Sequence, residues 1–256
     1  MIVRELPDGL LCFRQLDHAA LSGLLGDHWG SDVFPTWIPG DSVRLAVRRH
    51  DAGWPELDAV STVDPETGRP LDYRTIGLDD RLDVAERSVA RIAAIDPYAG
   101  WLVSRHFASF MEGSDAPEAI RWVVDQVGRR AGMLARSRAR VGRDALHPHV
   151  LEANLDWLQL LDAVSLALCH DWNAWESRPT ALEYGEETGV FRYRRVGSSG
   201  ASIEGALAPW PFVAGRVVGK IPAVALPRAT WESAEALGEA WEAAEEVDVE
   251  VALIAG

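Results

Sequence analysis

The sequence predicts a mainly α-helical core that carries a C-terminal antiparallel β, or α+β, appendage. Three observations predict it. Apolar residues recur at three- and four-residue steps in six segments between about residues 14 and 171. Pro and Gly breaks separate those segments. After Trp172 the texture changes to short alternating runs, such as Val190-Phe191-Arg192-Tyr193, punctuated by Gly, Ser and Pro. Composition therefore divides the chain of 256 residues near residue 175. The expected units are a helical domain, 1–175, and an α+β subdomain, 176–256, packed on it.

The elements follow in order. Residues 1–6 alternate weakly, Pro7-Asp8-Gly9 is a turn signal, and Leu10 to Phe13 can return as a partner strand. From Arg14 to Trp29, Leu16, Ala20, Leu21, Leu24 and Leu25 have helical spacing, with His18 inside the helix. Asp41 or Ser42 can cap a second helix that runs to His50-Asp51. Residues 53–80 show little periodicity, and a segment placed directly after His50-Asp51 can cover a site there. A third helix is expected from Asp79 to Ile95. Asp96-Pro97 starts a fourth, with Asp as cap and Pro at the first helical position. The fifth starts at Ala116-Pro117 and turns Arg-rich from Arg129 to Arg143. The sixth covers about 149–171, after the break at His147-Pro148-His149. A last helix at 230–246 and a strand from Val247 to Ile254 complete the appendage.

Composition excludes several function classes. The formal net charge is -14, and Lys220 is the sole lysine. Binding nucleic acid through a broad basic surface needs the opposite balance, so no nucleic acid is expected as a partner. An acidic surface also repels anionic membranes. The N-terminus has no basic stretch followed by an apolar one, and no apolar run approaches a membrane span, so the expected location is the cytoplasm. Two cysteines, Cys12 and Cys169, are too few for a disulfide framework or a Cys-based zinc site. Phosphate-cradling glycine loops and nucleophile elbows are absent from the sequence.

The chemistry rests on His18, His50, Asp51 and Asp162. Imidazole nitrogen and carboxylate oxygen suit a divalent transition metal such as Mn, Fe, Co, Ni or Zn. These four residues fall on three different helices, so the helices must pack before the site exists. Alone, the His50-Asp51 pair reads better as structural, with His50 a helix C-terminal histidine complementing the dipole. His18 before the pair and Asp162 after it tip the reading toward a metal site. His106 is a candidate for contacting substrate, with a buried core histidine as its plain alternative. Arg105 can hold a phosphate bidentately, or form a surface ion pair. Gln15, Asp17 and Gln159 are candidates to orient these groups.

The order His, then His-Asp, then a late Asp resembles the HD-domain superfamily of metal-dependent phosphohydrolases. The chain more closely resembles a bacterial family of unassigned activity placed near that superfamily. The resembling stretches are Gln15-Leu16-Asp17-His18 with Leu21-Ser22-Gly23, then His50-Asp51-Ala52-Gly53-Trp54, then Asp96-Pro97-Tyr98 with Leu102-Val103-Ser104-Arg105-His106. They continue with Leu158-Gln159, Asp162-Ala163-Val164-Ser165-Leu166 and Pro209-Trp210-Pro211-Phe212. The resemblance implies an HD-like helical domain and one metal ion held by His18, His50, Asp51 and Asp162. The expected activity is hydrolysis of a small anionic phosphate ester or nucleotide by a metal-activated water, with Asp51, His106 and Arg105 as the catalytic candidates. Two alternatives stay open: iron-dependent oxidation of a small molecule by the same ligands, and a non-enzymatic ligand-binding or regulatory protein.

Overall fold

A computed structural model describes residues 1–60 and 62–256. Two short strands begin it, β1 (Ile2–Glu5) and β2 (Gly9–Phe13). The expected turn joins them, with Leu6 N donating to the Gly9 carbonyl at 2.9 Å. Beyond the helices come β3 (Ala174–Glu176), β4 (Thr180–Ala181), β5 (Thr188–Gly189), β6 (Arg192–Ser199), β7 (Ser202–Ala208), β8 (Arg216–Pro227) and β9 (Glu245–Ala255). Seven of these form one sheet in the order β1-β2-β8-β9-β7-β6-β3. Every pairing in it is antiparallel except β7 with β9. The short pair β4 and β5 stands apart.

This corrects the expected fold class. The chain is 47% helical, and a large curled sheet occupies most of its C-terminal half. That is an α+β architecture and not a helical core with a β appendage. The first 13 residues belong to the sheet, because β2 pairs with β8, Gly9 against Pro227 and Cys12 against Val224. A pairing across about 200 residues leaves no trace in local periodicity, which reports only which face of a segment is apolar.

Seven helices lie between β2 and β3: α1 (Gln15–Asp27), α2 (Gly40–Arg49), α3 (Pro55–Asp58), α4 (Leu78–Ile95), α5 (Pro97–Met111), α6 (Pro117–Val141) and α7 (Pro148–His170). An eighth, α8 (Ala234–Ala243), precedes β9. Local chemistry explains their starts. Asp96 caps α5 as its spacing predicts, accepting from the backbone N–H of Tyr98 at 2.8 Å and Ala99 at 3.3 Å. Neither Asp41 nor Ser42 caps α2, whose N-cap is Pro39. Ser42 instead donates to Asp96 Oδ2 at 2.6 Å, which ties α2 to α5.

Helix α7 is the axis of the helical layer. It packs against α1, α2 and α5 and reaches β1, β4 and β7. Its Trp157 is fully buried and donates to the Ala181 carbonyl at 2.7 Å. Truncating such a residue to Ala typically costs about 3–5 kcal/mol. The sheet is covered on both faces where β2 lies. Leu11 and Phe13 join the main core with the helices, whereas Leu10 and Cys12 pack on the other side with Val224, Leu226, Trp231 and Leu237. All five residues of β2 are therefore buried. Among the described residues no helix is long and apolar enough to cross a membrane.

Candidate metal centre

His18 lies on the buried face of α1, and His50 caps the C-terminus of α2. Asp51 opens the turn that follows. That turn is fastened to α4, where Ser88 Oγ accepts from Gly53 N at 2.8 Å. Arg87 and Arg91 donate to the Gly53 and Ala52 carbonyls at 3.0 and 2.6 Å. These arginines satisfy carbonyls that a helix end leaves without partners. The approach is close enough to require glycine: a Cβ on Gly53 would sit 2.2 Å from the Val84 carbonyl oxygen. His106 comes from the middle of α5 and Asp162 from the middle of α7.

Four helices thus bring five side chains to one point. His18 Nε2 lies 2.9 Å from Asp51 Oδ2 and 3.5 Å from Asp162 Oδ1. His50 Nε2 lies 3.5 Å from Asp51 Oδ2 and 3.4 Å from Asp162 Oδ1. His106 Nε2 stands 3.8 Å from Asp162 Oδ2. All five residues are buried, the histidines more fully than the carboxylates.

The outer hydrogen bonds fix which ring nitrogens face inward. His50 Nδ1 lies 2.9 Å from the Val47 carbonyl, which can only accept, so Nδ1 carries the proton. Nε2 is left with a lone pair and has no hydrogen-bond partner. Ser165 Oγ donates to the Asp162 main-chain carbonyl at 2.8 Å and therefore accepts from His18 Nδ1 at 2.7 Å. Ser22 Oγ lies 2.8 Å from Ser165 Oγ and supports it. In their neutral forms both Nε2 atoms thus turn lone pairs toward carboxylate oxygens. A proton or a metal ion at this point relieves that arrangement.

The electrostatics agree. Burial by itself lowers the His50 pKa, but the Asp51 and Asp162 carboxylates outweigh it and raise it to about 9. Burial likewise opposes ionisation of Asp51 and Asp162, and the neighbouring histidines overcome it and hold both below the usual carboxylate range. His106 behaves oppositely: burial pushes it down to about 4, so its ring is neutral.

The donor set fits a divalent transition metal. One ligand atom each from His18, His50 and Asp162 all lie within 4.8 Å of one another. With bonds of about 2.1 Å, ligand atoms sit about 3.0 Å apart at right angles and about 3.4 Å apart at tetrahedral angles. The His–Asp contacts, from 2.9 to 3.5 Å, match those edges, and Asp51 stands against both histidines without belonging to that three-residue group. The outer partners Val47, Ser165 and Ser22 are of the kind that orients metal-binding histidines.

A cavity of about 940 Å³ opens onto this point, with Asp51, His106 and Asp162 in its lining. Its walls are largely apolar, including Trp54, Phe107, Phe110 and Trp175, with Arg74, Arg81 and Arg178 among them. Tyr73 and Arg74 belong to the irregular segment that follows the His-Asp turn, so that segment forms a wall of the cavity. It is tied to the chain start by Val3 N on Asp72 Oδ2 at 3.0 Å and by Tyr73 N on the Met1 carbonyl at 2.9 Å.

Other sequence candidates fall elsewhere. Arg105 does not line the cavity; it pairs with Glu112 at 3.0 Å and stands 3.9 Å from Glu152. Asp17 faces Arg14 at 3.7 Å, and among the described residues its side chain makes no hydrogen bond to a ligand histidine. Gln15 and Gln159 do line the cavity, the latter donating to Ser109 at 2.8 Å. His147 and His149 are exposed and stack on each other at the start of α7. Sequence reasoning missed the role of Trp54, whose Nε1 donates to Asp51 Oδ1 at 3.1 Å. It also missed Ser22 and Ser165, although each lies three or four positions from a ligand on its own helix, the spacing that puts side chains side by side.

No curated protein and no solved structure matches the chain. A family model described as a protein of unknown function, DUF3891, matches residues 1–228. The chain belongs to that family.

Proposed function

We propose that the chain is a metal-dependent hydrolase of a small anionic ester, either a phosphate ester or a nucleotide. One observation carries the reading. One ligand atom each from His18, His50 and Asp162 lie within 4.8 Å of one another, with Asp51 2.9 Å from His18, beside a cavity of about 940 Å³. The resemblance to the HD-domain superfamily supports the same class. His18, His50, Asp51 and Asp162 would hold the ion, and Mn, Fe, Co, Ni or Zn each suit such donors. When bound, the ion supplies a Lewis acid that polarises a phosphoryl oxygen and lowers the pKa of water.

The side chains do the rest. Asp51, anchored through Trp54, orients the attacking water by accepting its hydrogen bond. His106 stays neutral and donates its single N–H to the substrate. Arg74, Arg81 and Arg178 meet the anionic group. The apolar walls exclude bulk water, which strengthens each of these interactions.

The test is metal analysis of purified protein, combined with phosphate release from a panel of phosphomonoesters and nucleotides. Wild type should carry a stoichiometric transition metal and release phosphate. His50→Ala and Asp162→Ala should do neither. A metal-free wild type, or phosphate release that survives both substitutions, overturns the reading. Oxygen consumption with Fe(II) in the absence of phosphate release moves the same ligands to oxidation.

A further inference from the structure

Helix α6 presents to solvent an apolar stripe that is bare over Ile120, Val124 and Val127. Ile120, Val124 and Val127 are 49%, 62% and 57% exposed. Ala131 and the half-buried Leu134, which also packs against the core, continue the series, so the steps are four, three, four and three. This is the spacing of a seam that packs along a second helix. Isolated exposed apolar residues are ordinary on a protein surface. A continuous seam on a helix of 25 residues, about 37 Å long at 1.5 Å per residue, marks an interaction site.

Gly128 adds an independent observation. It lies beside the seam, exposed, in the middle of α6. Glycine is the poorest interior helix former after proline. A Cβ there would meet nothing within 4 Å, so no contact inside the chain calls for its absence. A second helix crossing closely at this point does, because the side chains at the contact set the distance between axes.

Charge identifies the second helix. Asp115 and Glu118 stand at the N-terminal end of α6, Glu118 paired with Arg121 at 3.0 Å, and Arg136, Arg138 and Arg143 stand at or just past its C-terminal end. Those three arginines form no ion pair among the described residues. Arg138 lies on the seam itself, four positions after Leu134. Parallel pairing of two copies would set Arg138 against Arg138. Antiparallel pairing sets it against the acidic end.

We propose that α6 is the interface of an antiparallel homodimer, seam against seam, with Gly128 and Ala131 at the crossing. The two-fold axis then places Arg138 of each copy opposite Ile120 of the other, beside Glu118. Glu112 and Ser114 line the cavity just before this end of α6. The basic end of one copy's helix therefore stands next to the other copy's cavity mouth.

Sedimentation of the full chain through the micromolar range tests this. The expected species has twice the chain mass of 28.0 kDa. The double variant Val124→Glu, Val127→Glu should sediment as a monomer with unchanged helical circular dichroism, since both positions are exposed. Orientation is read from oxidative cross-linking. Ile120→Cys and Arg138→Cys proteins should cross-link when mixed, and neither should do so alone. The native cysteines are buried and do not interfere. A wild type that stays monomeric, a dimer that survives the double variant, or efficient self-cross-linking of Ile120→Cys overturns the proposal. A heterologous partner on the seam would give the first of these outcomes.

Discussion

Asp96 and Asp162 are both buried carboxylates where helices meet, 4% and 7% exposed, yet their surroundings differ in kind. Asp96 is saturated with donors. Its Oδ1 takes the N–H groups of Tyr98 and Ala99, and its Oδ2 takes Ser42 Oγ and the Arg140 guanidinium. Asp162 faces three imidazoles and receives no other side-chain donor among the described residues. A buried carboxylate with every lone pair satisfied joins elements. One held against other lone pairs is arranged for a cation. The difference separates architecture from chemistry where burial alone does not.

The comparison breaks first on the ligands themselves. Asp162→Ala and His50→Ala should each lower metal affinity by more than about 100-fold, beyond the usual effect of an outer-shell change. Competition with a chromogenic chelator measures it. Asp96→Ala should leave metal content intact while costing about 3 kcal/mol in urea denaturation, through loss of the cap and an unpaired buried hydroxyl. If both variants lose metal equally, the distinction drawn between the two carboxylates fails.

The pH dependence sharpens the same contrast. In metal-free protein His50 has a folded pKa of about 9 against 6.5 for the free side chain. A raised folded pKa stabilises fully below the unfolded value and is lost as pH rises through the folded one. Chelator-treated protein should therefore lose roughly 3 kcal/mol between pH 6.5 and 9, counting the coupled His–Asp cluster once. A metal ion competes with that proton, so metal affinity should rise over the same interval. Urea midpoints that stay flat across it in the presence of chelator would contradict the proton-or-metal account. The smallest effect is expected from Trp54→Phe, which keeps the ring but removes the donor to Asp51 Oδ1. Metal affinity should fall about tenfold.

Much of the helical layer was legible because its signals are local. The Asp96-Pro97 cap predicts the start of α5, the start expected at Ala116-Pro117 holds for α6, and α7 begins within a residue of the expected 149. The convergence of His18, His50, Asp51 and Asp162 was expected from their order on the helices, and they lie within 2.9 to 3.5 Å of one another across the His–Asp contacts. Arg105 was misplaced because an arginine's reach is set by acids the sequence does not reveal as neighbours, here Glu112 and Glu152. The sheet was misjudged for a related reason. A strand's partner is chosen by tertiary packing, and β2 has its partner in β8 at the far end of the helical region. The same long range hid the contribution of Trp175 and Arg178 to the cavity, since one stands at the boundary drawn near residue 175 and the other beyond it.

The interior position of β9 has a consequence for synthesis. It lies between β8 and β7, so the sheet cannot close until residues 245–255 have emerged. Strand β2, apolar on both faces, must wait for β8 through about 200 residues of translation, roughly 10–40 s at 5–20 residues per second. For that interval Leu10 and Cys12, whose partners Val224, Leu226, Trp231 and Leu237 are still to come, lie on an uncovered edge, a natural binding site for a chaperone. Damage to the last strand would then be felt at the first, as persistent exposure of β2 and aggregation of an otherwise helical chain.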